Sequence, residues 1–226
     1  MSDHIDPVKL DRLAEVAVRT GVNLQKGQDL VITAPMSALP LVRRITVHAY
    51  KAGAGIVTPF FTDDEITLAR YENADDASFD RAPAWLFEGM AAAFKGGAAR
   101  MAITGDDPML LSEQDPKKVA RLSKATSIAA KPAMTPIVGF EVNWNIVAYP
   151  SAGWAARVFP DLPVDEAQGK LMDAIYDASR IGGDDPVANW ADHTAELKKR
   201  VKWLNEQKFD ALHYTGPGTD LQLGLA

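Results

Sequence analysis

The sequence predicts an α/β domain, a parallel-sheet layered domain with helices on both faces. Three short stretches are predicted as strands. Residues 27–35 form a continuously apolar run bounded by turn residues, as is typical of a strand covered on both faces, residues 55–61 are predicted as another buried strand, and residues 98–104 as a third strand. Helical patterns separate these runs, which favours right-handed helical crossovers between parallel strands. The layered domain is predicted over roughly the first 130 residues.

The helices between these strands are identified by their end signals. The first spans residues 8–19, with Pro7 at the favoured first-turn position and Gly21 as its stop. A capping box of Thr62 and Glu65 opens another helix, which runs to about residue 71. The remaining helices of this region are predicted over residues 37–52, 79–95 and 116–128.

Residues 131–163 are richer in prolines and aromatic residues than the preceding part of the chain. Five prolines in this segment are interleaved with large rings, including Trp144 and Trp154. This pattern predicts a loop-rich connector rather than a second layered domain. Two further helices follow, over residues 164–180 and 186–207.

The last eighteen residues, 209–226, are predicted to form a strand, a tight turn and a second strand. Gly216-Pro-Gly218 supplies the turn, and leucines then alternate with other residues at the period of a strand. Because the chain stops on a strand whose backbone groups still need partners, we expect the natural protein to continue. The predicted organisation is an α/β domain over 1–208, followed by the start of a β element that belongs to a missing second domain.

Composition excludes several classes of protein. The chain has 226 residues, of which 47% are hydrophobic, enough to bury a sizeable core. Its net charge of −6 comes from 30 acidic and 24 basic residues spread along the chain, which disfavours a nucleic-acid partner. Without cysteine, disulfides and thiol nucleophiles are excluded. No signal peptide or membrane-spanning stretch is recognisable, and we expect a cytoplasmic protein with no membrane partner.

The motifs of common nucleotide and acyl-transfer sites are missing. No Gly-rich loop ending in Lys-Ser or Lys-Thr occurs, which excludes a Walker-type NTPase. Gly216-Pro-Gly218 lacks the third glycine and the following helix of a dinucleotide fingerprint. Ser151 lacks the first glycine of a nucleophile elbow, so a serine-dependent acyl transferase is disfavoured.

Histidines and acidic pairs give no catalytic set. Asp192, His193 and Glu196 share one helical turn, which supplies too few ligands for a metal site. His213 alternates with apolar neighbours, as a strand residue does, and His48 shares its helix with two arginines. Four acidic pairs stand at predicted helix starts, where capping and the helix dipole explain them: Asp63-Asp64, Asp75-Asp76, Asp106-Asp107 and Asp184-Asp185. We assign no catalytic residue and no metal ligand within the chain.

Three separated blocks match, in order, the blocks of a known family. The first runs from Thr20 to Gln28 and is followed by a strand, an Arg-Arg helix and Ala49-Tyr-Lys-Ala-Gly-Ala54. The second contains Trp144-Asn-Ile146, Trp154-Ala155 and Phe159-Pro-Asp161, and the third runs from Leu212 to Leu221. With these blocks the sequence resembles the aminopeptidase T family, the thermophilic-type, leucyl aminopeptidase-like metalloaminopeptidases, over the N-terminal domain only.

The resemblance implies a two-domain exopeptidase that acts on peptides and forms a homodimer. In such a protein a pair of divalent metal ions, cobalt, zinc or magnesium, is held by Glu, His and Asp side chains of the second domain. This sequence ends before those ligands. We therefore expect the isolated chain to bind no metal ion and to be inactive alone.

Two tryptophans are candidates for a wall of the substrate cleft between the domains. Trp144 and Trp154 lie in the Pro-rich segment, where a loop can present large amphipathic rings. A structural role beneath the sheet is the alternative for both. Two other classes stay open for the whole chain: a non-catalytic, flavodoxin-like module that binds a small ligand at its strand ends, and an interaction module that pairs through its terminal strand.

Overall fold

The computed structural model describes residues 5–225 and has the α/β architecture that the sequence predicts. Four parallel strands form one sheet in the order β2-β1-β3-β4. Their bounds are β1 Leu30–Pro35, β2 Val57–Thr62, β3 Ala99–Thr104 and β4 Trp144–Ala148. The strand order reverses between β1 and β3, which makes this the topological switch point of the sheet.

Helices precede, connect and follow the four strands. Before and between the strands lie α1 Pro7–Val16, a π-helical turn Ala17–Gly21, a 3-10 turn Met36–Ala38, α2 Leu39–Lys51, α3 Asp64–Asn73, a 3-10 turn Asp76–Asp80, α4 Ala84–Lys95 and α5 Pro116–Val138. After the last strand of the sheet lie α6 Ala152–Val158, α7 Val164–Ala178 and α8 Pro186–Gln207. No helix among residues 5–225 combines the length and the apolar character that a membrane crossing requires.

Apolar side chains pack on both faces of the central strand β1. On one face, Val31 joins a buried cluster that includes Phe94 of α4 and Ile137 of α5. On the other, Leu30 and Ile32 are fully buried, and α2 packs against the strand. Burial of each such aliphatic side chain stabilises the fold by about 1.5–3 kcal/mol. The predicted two-sided burial of this strand is confirmed.

The second strand differs from its prediction. The sequence run 55–61 was expected to be covered on both faces, but β2 is an edge strand with exposed positions, and it contains Pro59. Proline cannot donate to a strand ladder, so an edge is where a sheet accommodates it. The next helix, α3, is also capped one residue later than the proposed capping box. Its N-cap is Asp63, whose Oδ1 accepts a hydrogen bond from Ile66 N at 3.0 Å.

The segment 131–163, predicted as a loop-rich connector, contains regular structure. Helix α5 continues ten residues beyond its predicted end, with Pro132 and Pro136 inside it. Its last turns bury Ala133 and Ile137 against α4, and this packing outweighs the usual proline penalty. The fourth strand of the sheet and α6 also lie in this segment. The prediction of a loop-rich connector was therefore wrong, because closely spaced prolines were taken as evidence against helix and strand.

The chain forms two compact units, divided between Val187 and Ala188. The first contains the sheet. In the second, β5 Ala211–Gly216 and β6 Thr219–Gly224 form the antiparallel hairpin that the sequence predicts. Leu212 faces Leu223 across this hairpin, and Gly218 adopts a positive φ of 75° in its turn.

Candidate functional site

The carboxyl ends of the four strands border a crevice at one edge of the sheet. Because the strands are parallel, the residues that follow each of them meet at this edge. A cavity of about 170 Å³ lies here, and residues from all four strand ends line it: Pro35, Met36, Ser37, Thr62, Asp63, Asp64, Glu65, Asp106 and Ser151. This crevice is the candidate functional site of the first unit.

Local hydrogen bonds fix the loops of the crevice. Asp63 caps α3, and Asp107 Oδ1 accepts a hydrogen bond from Met109 N at 2.9 Å in the turn after β3. Ser151, which is only 6% exposed, caps α6 by accepting from Trp154 N at 3.1 Å. The crevice thus has walls that are set by capping and turn chemistry before any ligand arrives.

Carboxylates give the crevice a negative field. Burial raises the pKa of Asp64 above its usual value, and the neighbouring charges of Asp106, Asp63 and Asp107 raise it further. None of these four carboxylates forms an ion pair with a lysine, arginine or histidine of the described chain. A site of this sign favours cations and ammonium groups over anions.

The crevice does not fit the metal centre that the resemblance implies. Within residues 5–225, no three histidine, aspartate or glutamate side chains lie close enough together to hold a metal ion. Asp63 and Asp107 already use a carboxylate oxygen to accept from backbone N–H groups. The described residues therefore lack the donor set of a two-metal hydrolytic site, which needs several carboxylate and histidine ligands around each ion.

The two candidate tryptophans lie at opposite ends of β4. Trp144 is its first residue and is 37% exposed, whereas Trp154 lies in α6, beyond its carboxyl end. At a rise of about 3.3 Å per residue, the strand alone separates them by about 13 Å. Trp154 is half-buried and packs against a cluster that contains Ala155, Ala167 and Leu171. The structure does not bring the two rings into one patch.

Each described histidine lies close to an acidic or aromatic side chain of its own unit. His48 Nε2 lies 3.1 Å from Asp11 Oδ1 between α2 and α1. In the second unit His193 stacks edge-on against Trp190, with centroids 5.7 Å apart, and Glu196 pairs with Arg200. His213 Nε2 lies 2.6 Å from Asp220 Oδ1 across the hairpin.

Sequence reasoning explained each acidic pair locally and missed that two of them converge. Asp63-Asp64 follows β2 and Asp106-Asp107 follows β3, so both pairs reach the carboxyl edge. The signal was present in the sequence, because each pair comes directly after a predicted strand of a parallel sheet. The other two pairs lie elsewhere: Asp76 contacts Arg121, and Asp184 lies 3.9 Å from Arg12.

Comparisons with known proteins agree with the fold and the sequence blocks. The family model described as thermophilic metalloprotease (M29) matches residues 7–226. The chain is 46% identical to Aminopeptidase T of Thermus thermophilus and 39% identical to Aminopeptidase AmpS of Bacillus subtilis, in each case over 96% of this chain and 53% of the relative. It thus spans about half the length of the curated relatives it matches.

A solved structure is also similar to this chain over about half of its own length. The structure titled "Wild-type AmpT from Thermus thermophilus" matches with a TM-score of 0.90 at 45% identity, over 97% of this chain and 54% of that one. Family, relatives and structure agree with the resemblance carried by the three sequence blocks. The chain belongs to the thermophilic metalloprotease (M29) family.

Proposed function

We propose that this chain is the N-terminal half of a metal-dependent aminopeptidase, which releases N-terminal residues from peptides. The proposal is supported by the difference between the share of this chain that the matches cover and the share of the relatives that they cover. Relatives named as aminopeptidases cover 96% of this chain, whereas the chain covers only 53% of them. In this proposal the catalytic ions are held by the polypeptide that corresponds to the other half of those relatives.

The proposed cofactors of the whole protein are two divalent metal ions, cobalt, zinc or magnesium. A metalloprotease family supports the use of metal, and their number and identity are part of the proposal. Residues 5–225 supply no cluster of three metal-ligating side chains. The role proposed for this chain is therefore scaffold and substrate access, and it is expected to be inactive alone.

The first unit is proposed to form one wall of the cleft through which peptides reach the catalytic half. Small-molecule sites commonly lie at boundaries between domains. Trp144 offers an exposed aromatic surface for such a wall, and Trp154 could act through the position of α6. Because the rings lie at opposite ends of β4, each is proposed to act separately.

The test is hydrolysis of leucyl peptides by the 226-residue chain with added cobalt or zinc. The full-length Thermus aminopeptidase is the positive control for substrate and metal supply. A version of that relative cut at the equivalent position is the matched negative control. We expect turnover only from the full-length control. Robust metal-dependent turnover by the 226-residue chain would overturn the proposal.

The proposal also covers the oligomeric state and the cellular location of the full-length protein. We propose a full-length homodimer in the cytoplasm, with no nucleic-acid and no membrane partner. The net charge of −6 disfavours nucleic acid, and a cysteine-free chain suits a reducing compartment. Light scattering of the full-length protein tests the dimer, which a monomeric mass would exclude.

A second candidate function rests on the crevice. Flavodoxin-like sheets bind small ligands at this position, and the cavity of about 170 Å³ is lined by carboxylates that favour a cation. In this alternative the chain is a non-catalytic binding module. A saturable rise in melting temperature with a small primary amine, removed by Asp106→Asn, would support it. Unchanged melting at every amine concentration would exclude it.

A further inference from the structure

We propose that a cavity beside the 3-10 turn Asp76–Asp80 binds a small oxyanion of the carboxylate or phosphate class. The cavity measures about 300 Å³ and is lined by Arg70, Ser78, Arg81, Ala82 and Pro83. It shares no lining residue with the acidic crevice. The inference rests only on residues of the first unit and is independent of the proposed aminopeptidase function.

Arg70 is held in place and retains unused donors. Its Nη2 donates to the carbonyl oxygen of Ser78 at 2.7 Å and to that of Arg81 at 3.0 Å. The same guanidinium lies 5.8 Å from the centroid of the Phe79 ring. Further N–H donors remain on Nε and Nη1, and no described residue accepts from them. A guanidinium fixed in this way is preorganised for a ligand.

Arg81 and Ser78 add donors that have no partner among the described residues. Arg81 is exposed and forms no ion pair within residues 5–225. Ser78 Oγ is buried and has no hydrogen-bond partner there. A buried hydroxyl without a partner costs free energy. Rotation of Ser78 between staggered rotamers lets the hydroxyl donate to an anion in the cavity that this residue lines.

The two acidic residues of the neighbouring turn form their ion pairs with a different arginine. Asp76 and Asp80 both pair with Arg121, at 2.8 and 2.6 Å. Lys118 adds a further cation, 5.0 Å from the centroid of the Phe79 ring. The two charged side chains that line the cavity are both arginines. Guanidinium groups match the oxygen spacing of carboxylate and phosphate and can bind either through paired hydrogen bonds.

The test is an NMR titration of the 226-residue chain with inorganic phosphate and, separately, with acetate at constant ionic strength. We expect saturable shifts of the Ser78, Phe79 and Arg81 amides. Tighter binding of phosphate would point to a phosphoryl compound as the natural ligand, and tighter binding of acetate to a carboxylate. No saturable shift with either anion would overturn the proposal.

Three variants distinguish a specific anion-binding site from non-specific electrostatic attraction. Arg81→Gln should weaken binding by about tenfold or more, because it removes a charge-assisted donor. Ser78→Ala should weaken binding while the melting temperature is unchanged or raised, since it also removes an unpaired buried hydroxyl. Arg43→Gln, on the exposed face of α2, makes the same charge change elsewhere and should leave binding intact. Equal weakening by Arg43→Gln and Arg81→Gln would contradict a specific site.

Discussion

The backbone N–H of Ser151 donates to the carbonyl oxygen of Gly105 at 2.8 Å, which joins the loop after β4 to the loop after β3. Tyr149 N donates to Thr104 O at 2.8 Å just before it. Through this link, two neighbouring strand ends keep a fixed separation at the crevice. Gly105 adopts a φ of 145°, and a Cβ at this position would overlap the carbonyl oxygen of Tyr149.

We predict that Gly105→Ala destabilises the first unit by about 2 kcal/mol or more. The positive φ alone costs a non-glycine residue about 1–3 kcal/mol, and the overlap with the Tyr149 carbonyl adds to it. Urea unfolding measures the effect. Gly89→Ala is the control, because an added Cβ meets nothing within 4 Å in the exposed middle of α4. That control should stabilise by up to about 1 kcal/mol. Equal stability of the two variants would contradict the account of Gly105.

We predict that Asp64→Asn stabilises the protein at neutral pH, by less than about 1 kcal/mol after solvent screening. The pKa of Asp64 is raised above 3.8 in the folded state, so the folded chain binds more protons there than the unfolded chain. The free energy of unfolding therefore falls as the pH rises through the window between the two values. Asp64→Asn removes the titrating carboxyl, so its unfolding free energy should not show this decrease.

The comparison of unfolding free energies at pH 3 and pH 7 tests the Asp64 prediction. The advantage of Asp64→Asn should be present at pH 7 and absent below the unfolded pKa near 3.8. Glu88→Gln, which removes a charge from an exposed position of α4, is the control and should show no such window. A variant that is less stable than the wild type at pH 7 would show that the acidic crevice does not repel its own charges.

We predict that Arg121→Gln lowers the melting temperature at neutral pH. Arg121 bonds to both Asp76 and Asp80 and ties α5 to the 3-10 turn, and this hydrogen bonding lowers the pKa of Asp80. Stability from a lowered carboxyl pKa is present above the unfolded value and is lost as the pH falls through the folded one. The difference from the wild type should thus shrink below pH 3.8.

Thermal scans over pH and salt check the Arg121 prediction. Arg200→Gln breaks the exposed pair with Glu196 in α8 and is the matched control, with little change expected. A pH-independent loss for Arg121→Gln would indicate that packing, rather than charge, holds the turn.

We predict different outcomes for the two tryptophans in the full-length protein. Trp154→Ala should cost about 3 kcal/mol of stability, because its ring packs on a buried cluster. Trp144→Ala, at an exposed strand end, should cost only about 1 kcal/mol. If they line the peptide cleft, each also lowers kcat/KM. Unchanged peptide kinetics together with a lowered melting temperature would reduce both to structural roles.

The sequence was informative wherever one local signal dominates. The apolar run of β1, the first-turn proline of α1 and the Gly-Pro-Gly turn of the hairpin each predicted their element correctly. Such signals act within a few residues, so neither partners nor distant packing are needed to read them.

Elements that depend on tertiary packing were missed. The last turns of α5 contain Pro132 and Pro136, and only burial against α4 explains why the helix continues. The residues of β4 are recognised as a strand only by their pairing with β3. The crevice was missed although each acidic pair follows a predicted strand. Asp64 and Asp106 are 42 positions apart in sequence, and their proximity follows only when both strands are placed in one parallel sheet.

The measurement that tests the central claim most directly is metal retention by the 226-residue chain. The chain is dialysed against zinc or cobalt at micromolar free concentration, and bound metal is quantified by mass spectrometry beside full-length Thermus aminopeptidase. We predict that the full-length protein retains metal and that the 226-residue chain retains none. Two equivalents of tightly held metal on the 226-residue chain would contradict the claim that the catalytic ions are bound outside it.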